Sequence, residues 1–273
     1  MIRHYARSIP AVYKAYKNLQ FFYYQYHLHI ANKQDRGNPL DQHSIPYPPA
    51  KLRWRVHGDF GLQGFVDIGQ KNGSDIIDAL ARNDKRLADF NNILDFGCGC
   101  GRVIRHLHRQ SQASQFIGTD IDHEAVSWCQ ENLPPNAFYT NDFQPPTRFA
   151  DGQFDFIYAV SVFSHLDEDM QFAWLHELKR ITRVGGIILL SVHGPACYRQ
   201  FTPIENNTLK TKGFLFCVSQ TGPLKMDGLP DFYQTTYHSK EYIQREWGKI
   251  FTLLDYVEKG INDHQDAVLL LRG

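Results

Sequence analysis

Three glycines alternate along Asp95-Phe96-Gly97-Cys98-Gly99-Cys100-Gly101-Arg102. An apolar run, Asn92-Ile93-Leu94, leads in, and a helix-like segment, Val103 to Arg109, follows at once. Glycines at a strand-to-helix turn let the backbone pass through positive φ and approach a ligand that side chains would hold off. Their spacing selects the ligand. A dinucleotide fingerprint, G-x-G-x-x-G, requires glycine at position 102, where this chain has Arg102. What stands here is D-x-G-x-G-x-G, with Asp95 two residues before the first glycine.

Carboxylates at the next strand ends supply more of a nucleoside site. Gln115-Phe116-Ile117-Gly118-Thr119-Asp120 reads as a second strand ending in an acid, 19 residues after Gly101. A ribose-binding acid sits at an offset of roughly 20 residues in nucleotide-binding βαβ units. Two vicinal hydroxyls are donors, and one ionised carboxylate accepts both. Asp122 reads instead as the N-cap of a helix from His123 to Leu133. A third strand, Ala137 to Asn141, ends at Asp142, with Phe143 beside it.

Together these residues resemble the first motifs of class I S-adenosylmethionine-dependent methyltransferases. The resemblance covers roughly residues 76–273 and includes Phe154-Asp155, Ser161-Val162-Phe163-Ser164-His165-Leu166 and Gly185-Gly186. It departs at Val184, where a proline usually precedes the glycine pair. The resemblance implies S-adenosylmethionine as cofactor and S-adenosylhomocysteine as product. It assigns Asp95, Gly97, Gly99 and Gly101 to the cofactor turn and Asp120 to the ribose, with Ile121 also among the cofactor-binding residues. Asp142 would face the adenine amino group, Phe143 would pack on the ring, and Ser161 would lie beside the cofactor. The implied fold is α/β and Rossmann-like: a seven-stranded, mostly parallel sheet of order 3-2-1-4-5-7-6, last strand antiparallel, helices on both faces. Stretches such as Gly260 to Asp266 are similar to members that modify sugars or natural products, which implies a small-molecule or saccharide acceptor methylated at oxygen.

The elements needed to carry this site are legible. Phe154 to Val160 reads as a buried strand, and Asp167 to Arg183 as a helix with Met170, Trp174, Leu175, Leu178 and Ile181 on one face. Acids open that helix and Lys179, Arg180 and Arg183 close it, as the macrodipole favours. Ile187 to Val192 is an apolar strand of the doubly covered kind. Ser239 to Lys249 reads as a helix, and Thr252 to Val257 with Ala267 to Leu271 as a terminal antiparallel pair. Strands alternating with helices imply a parallel sheet with right-handed crossovers.

Lys+Arg and Asp+Glu each number 29, so no basic field draws in nucleic acid or an anionic membrane. Five cysteines without framework spacing suit reduced thiols in a cytoplasm. Cys98-x-Cys100 has no Cys/His partner pair at finger spacing, and no metal is expected.

Residues 1–75 read as an arm with cofactor-covering helices. Ile9, Val12, Tyr16, Leu19, Tyr23 and Ile30 recur near a 3.6 period, predicting a helix over about Ala11 to Ile30. It is rich in aromatics, and Lys14, Lys17, Asn18 and Gln20 exclude a signal peptide or a spanning helix. Such an arm suits packing on its own domain, a homodimer contact, or interfacial membrane contact through residues 11–30. Pro46-Tyr47-Pro48-Pro49 is a stiff connector, and Lys51 to Ile77 supplies one or two helices over the cofactor.

Methyl transfer itself asks mainly for alignment in a dry cavity, and for a general base only where the acceptor must lose a proton. Candidates for that chemistry are His165 after the fourth strand, which equally suits capping the next helix, His193 at the end of the fifth, and Tyr237. Tyr237 lies in an insertion over residues 196–238, placed as a lid where acceptor specificity resides. Asn262 to Asp266 reads as a solvated hairpin tip. Two other classes fit the same residues: a non-catalytic S-adenosylmethionine-binding subunit of a hetero-complex, and an NAD(P)-binding oxidoreductase.

Overall fold

A computed structural model describes residues 10–36, 39–133, 137–218 and 229–273. Ile9 of the predicted arm helix and residues 219–228 of the insertion lie outside the described residues.

Strands β1 (Asn92–Phe96), β2 (Gln115–Asp120), β3 (Ala137–Thr140), β4 (Phe154–Ala159) and β5 (Thr182–Val192) form the parallel part of the sheet. Two long edge strands, β8 (Thr252–Ile261) and β9 (Gln265–Leu271), complete it in the order β3-β2-β1-β4-β5-β9-β8. β9 runs antiparallel to both β5 and β8. This is the expected α/β topology; the two numbers that differ belong to a separate hairpin inserted earlier.

Alternation along the strands explains why both faces are covered. Leu94 and Phe96 face one core with Ile157 and Ala159, while Ile93 faces the other with Phe156 and Tyr158. Helix α6 (Glu168–Ile181) covers the first core through Trp174, Leu175, Leu178 and Ile181, beside α8 (Lys240–Glu246). On the second face lie α3 (Leu62–Ala81), α4 (Ile104–Gln110) and α5 (His123–Asn132). Asp155 fastens the start of the sheet: its carboxylate accepts the amides of Asn91 and Asn92, each at 2.8 Å.

The arm helix α1 (Pro10–Gln34) is longer than its periodicity suggests. It packs Tyr24 and Ala31 against Ala50 and Phe60, next to α2 (Ala50–His57). Buried Arg53 joins these parts, with Nη2 2.7 Å from Asp35 and its other nitrogens on the carbonyls of Phe60 and Pro48. α3 runs unbroken across position 75, so the expected boundary there falls inside a helix that packs on the sheet. No helix among the described residues is long and apolar enough to cross a membrane.

The insertion holds a helix, α7 (Pro203–Lys212), and a two-stranded sheet of β6 (Phe214–Cys217) and β7 (Thr235–His238). β7 lies over the carboxyl ends of β4 and β5, with backbone bonds from Thr236 N to Ser164 O and from His238 N to His193 O. The hairpin tip also differs from expectation. Gln265 and Asp266 are buried at the start of β9, where Asp266 accepts from Tyr256 Oη at 2.6 Å.

Candidate active site

The glycine turn closes on the acid of β2. Gly97, Gly99 and Gly101 all have positive φ, at 81°, 52° and 76°. That geometry turns Gly99 N toward Asp120 Oδ2, 2.7 Å away, while Asp122 N donates to Asp120 Oδ1 at 2.8 Å. Gly97 and Gly99 form part of a cavity wall, and each is crowded from the side. A Cβ at Gly97 would sit 2.3 Å from Val162 Cγ2, and one at Gly99 would sit 2.4 Å from Val56 Cγ1. Gly101 is different. A Cβ there would strike Leu133 Cδ1 at 2.3 Å, so this glycine admits α5 rather than a ligand. Gly101 is not among the residues lining the cavity.

The cavity measures about 840 Å³ and lies beyond the carboxyl ends of β1, β2 and β4. Ligands in open α/β sheets bind at that position. Asp95, Asp120, Ile121, Phe143, Ser161 and His165 all line it. Asp142 does not: its side chain is exposed, and the wall at that strand end is Asn141 with Phe143. Asp122 caps α5, accepting from Glu124 N and Ala125 N.

Of the two carboxylates here, Asp95 is buried and Asp120 half-buried. Burial pushes the Asp95 carboxyl up to about 7, the nearby Asp120 charge adding to this and Arg102 opposing it. Asp120 is pushed up to about 6 by burial, held down by the Asp122 and Gly99 amides. Arg102 Nε has no hydrogen-bond partner among the described residues, and Asp95 Oδ2 has none of good geometry, although the buried Tyr158 hydroxyl lies beside that carboxylate. Such atoms are costly unless a ligand supplies the missing partners. These carboxylates therefore ask for a cation and for donors, while the guanidinium asks for an acceptor. Arg102 was legible in sequence only as a missing glycine; its position in the wall depends on the turn.

The catalytic candidates separate clearly. His165 is in the wall, its Nδ1 on the carbonyl of Gln234 and its ring stacked on Tyr233 at 4.5 Å. A carbonyl only accepts, so Nδ1 carries the proton and the neutral ring keeps its lone pair on Nε2. The cap of α6 is Asp167, which accepts from Met170 N, so His165 does not serve there. Tyr233 in turn donates to Ser161 O at 2.6 Å. Ser161 has φ of 60°, a strained value for a non-glycine residue, and Ser191 Oγ holds its amide at 2.7 Å.

His193 is not in the wall. Its Nδ1 donates to Thr236 O at 3.1 Å and its Nε2 accepts from Gln265 Nε2 at 3.2 Å. Both nitrogens are spent, and burial pulls its pKa down to about 4. Tyr237 is also outside the wall, buried against Phe201, Tyr198 and His193. These two candidates therefore lie outside the cavity, packed against residues of the insertion. The strand Thr235–His238 turns Tyr237 inward.

The sequence predicts covering helices over Lys51 to Ile77, but not that the arm helix also reaches the wall. Tyr23 and Tyr24 of α1 and Trp54 and His57 of α2 close the cavity. Arg55 holds α2 down, bridging Asp122 at 2.7 Å and Glu124 at 2.7 Å.

Comparison with known proteins bears on this geometry. Residues 93–186 match the family described as methyltransferase domain. Residues 93–186 are thus a methyltransferase domain. The matched span contains the glycine turn, Asp120 and His165. The domain is similar to the ribosomal protein L11 methyltransferase of Thermotoga petrophila, 27% identical over 113 residues, which is 39% of each chain. The chain thus spans about two-fifths of the length of that curated relative. Among solved structures, an S-adenosylmethionine-dependent methyltransferase from Clostridium acetobutylicum superposes with a TM-score of 0.53 at 15% identity, covering 78% of this chain and 94% of that one. Human N-acetylserotonin methyltransferase, solved with S-adenosylmethionine, gives 0.52 at 16% identity, covering 90% and 66%. At these identities the likeness is one of fold.

Proposed function

We propose that the chain binds S-adenosylmethionine in this cavity and transfers its methyl group to an oxygen of a small-molecule or glycan-like acceptor. The observation carrying this reading is the Gly99–Asp120 turn in the wall of a cavity that Asp95 also lines. The fit to the cofactor is chemical: it brings a cationic sulfonium, an ammonium, a carboxylate and two ribose hydroxyls. Asp120 would hold the hydroxyls, Asp95 the ammonium and Arg102 the carboxylate. Ile121 and Phe143 would enclose the adenine, with Asn141 in place of Asp142 at its amino group. The chemistry supplied there is a methyl group made electrophilic by its sulfonium leaving group.

The protein's own part is positioning and proton removal. Tyr23, Trp54, Trp174 and Phe232 give the cavity apolar and aromatic walls that keep water away and offer flat faces to a ring-shaped acceptor. His165, with Nδ1–H fixed on Gln234 O, presents Nε2 as the atom that accepts the acceptor's proton. A radiolabelled-methyl transfer assay on fractionated small molecules from the source cells tests the reading. Label in a low-molecular-weight product supports it; tight cofactor binding without any transfer favours the partner-subunit alternative.

A further inference from the structure

Three metal-ligating side chains meet outside the cavity, from three separate segments. His193 follows β5, Cys197 closes the short helical turn Pro195–Cys197, and His264 tips the β8–β9 hairpin. One ligand atom from each lies within 4.8 Å of the other two. Cys197 Sγ and His264 Nε2 are 3.6 Å apart. Zn–S bonds of about 2.3 Å and Zn–N bonds of about 2.0–2.1 Å in a tetrahedron place sulfur and nitrogen ~3.6 Å apart, so that edge already has the required length.

His193 is oriented for the same task. Its Nδ1–H donates to the Thr236 carbonyl, which leaves the lone pair on Nε2. Ligating histidines generally donate their other ring N–H to such an acceptor. We propose that His193, Cys197 and His264 form a zinc-type transition-metal site, with three protein ligands and one open position, that clasps the lid segment to the β8–β9 hairpin. Soft thiolate with imidazole selects zinc or a similar ion over magnesium or calcium. On binding, Cys197 gives up its thiol proton to solvent, and the ion replaces the Gln265 amide as the partner of His193 Nε2. Gln265 remains anchored through Oε1 on Ser191 Oγ at 2.6 Å, which also holds the amide of Ser161. The ion would thus stiffen the floor beneath the candidate active site. The expectation of no metal rested on cysteine spacing, whereas these ligands come together only through the fold.

The test uses the tag-free full chain, stripped by chelator and titrated with Co(II). The expected result is one equivalent bound in a tetrahedral spectrum with a thiolate-to-cobalt charge-transfer band, displaced by Zn(II). Cys197→Ser should abolish the band, His264→Ala should weaken binding at least about tenfold, and Cys217→Ser should change neither. Should the stripped chain unfold, zinc content after zinc-supplemented expression carries the test: about one ion per parent chain, and none in Cys197→Ser. No charge-transfer band, a band that survives Cys197→Ser, or parent chains without zinc in that second measurement would overturn the site.

Discussion

Gly99 N lies 2.7 Å from Asp120 Oδ2, so the glycine turn and the acid of the next strand are one unit. Removing the acid therefore affects the turn as well as the proposed ribose contact. Asp120→Ala is expected to weaken S-adenosylmethionine and S-adenosylhomocysteine by about 1.5–3 kcal/mol, through lost charged hydrogen bonds. Calorimetry checks this, and unchanged affinity would remove the ribose assignment.

These two carboxylates, Asp95 and Asp120, give the cavity a pH dependence. Asp95 is pushed up to about 7 and Asp120 to about 6, both from 3.8. Folded values raised above unfolded ones mean that the ligand-free chain loses stability as pH rises from about 4 to about 7, and no further above. Cofactor binding has the opposite slope, because a cation prefers ionised carboxylates. Affinity should rise between about pH 5.5 and about pH 8 and then level off, with proton release on binding. Titrations in buffers of different ionisation enthalpy read both effects. A flat profile would mean that neither carboxylate meets the ligand.

His165 is separable from cofactor binding. His165→Ala should lower turnover by about 10²–10⁴-fold while the cofactor Kd holds. His193→Ala, which removes two structural bonds rather than a base, should instead lower thermal stability. Equal turnover in the His165 variant would leave that ring as a support for Tyr233.

Arg55 ties α2 over the cavity through an ion pair only about a tenth exposed on each side (13% and 11%). Arg55→Ala should cost about 1–3 kcal/mol of stability, with faster amide exchange confined to α2. Exchange unchanged over Ala50–His57 would show that apolar contacts alone hold this wall.

The parts of this domain legible in sequence are those fixed by local rules. Strand burial, the Asp122 cap and the strand-end acid Asp120 follow from alternation, capping and chain spacing, and all three stand in the structure. Long-range geometry defeated the rest. Whether Gly101 faces ligand or α5, and whether Asn141 or Asp142 lines the wall, depends on side-chain direction at a turn. β6 and β7 pair across residues 219–228, so Tyr237 read as a lid hydroxyl until its strand turned it inward. The closing role of Tyr23 depends on an arm that returns to the sheet from far along the chain.

The most direct measurement is calorimetric titration of the full chain with S-adenosylmethionine, S-adenosylhomocysteine, NAD and NADP in parallel. One equivalent of each sulfur nucleoside should bind, and neither dinucleotide should. Binding of NAD or NADP with no response to S-adenosylmethionine would contradict the account at its base.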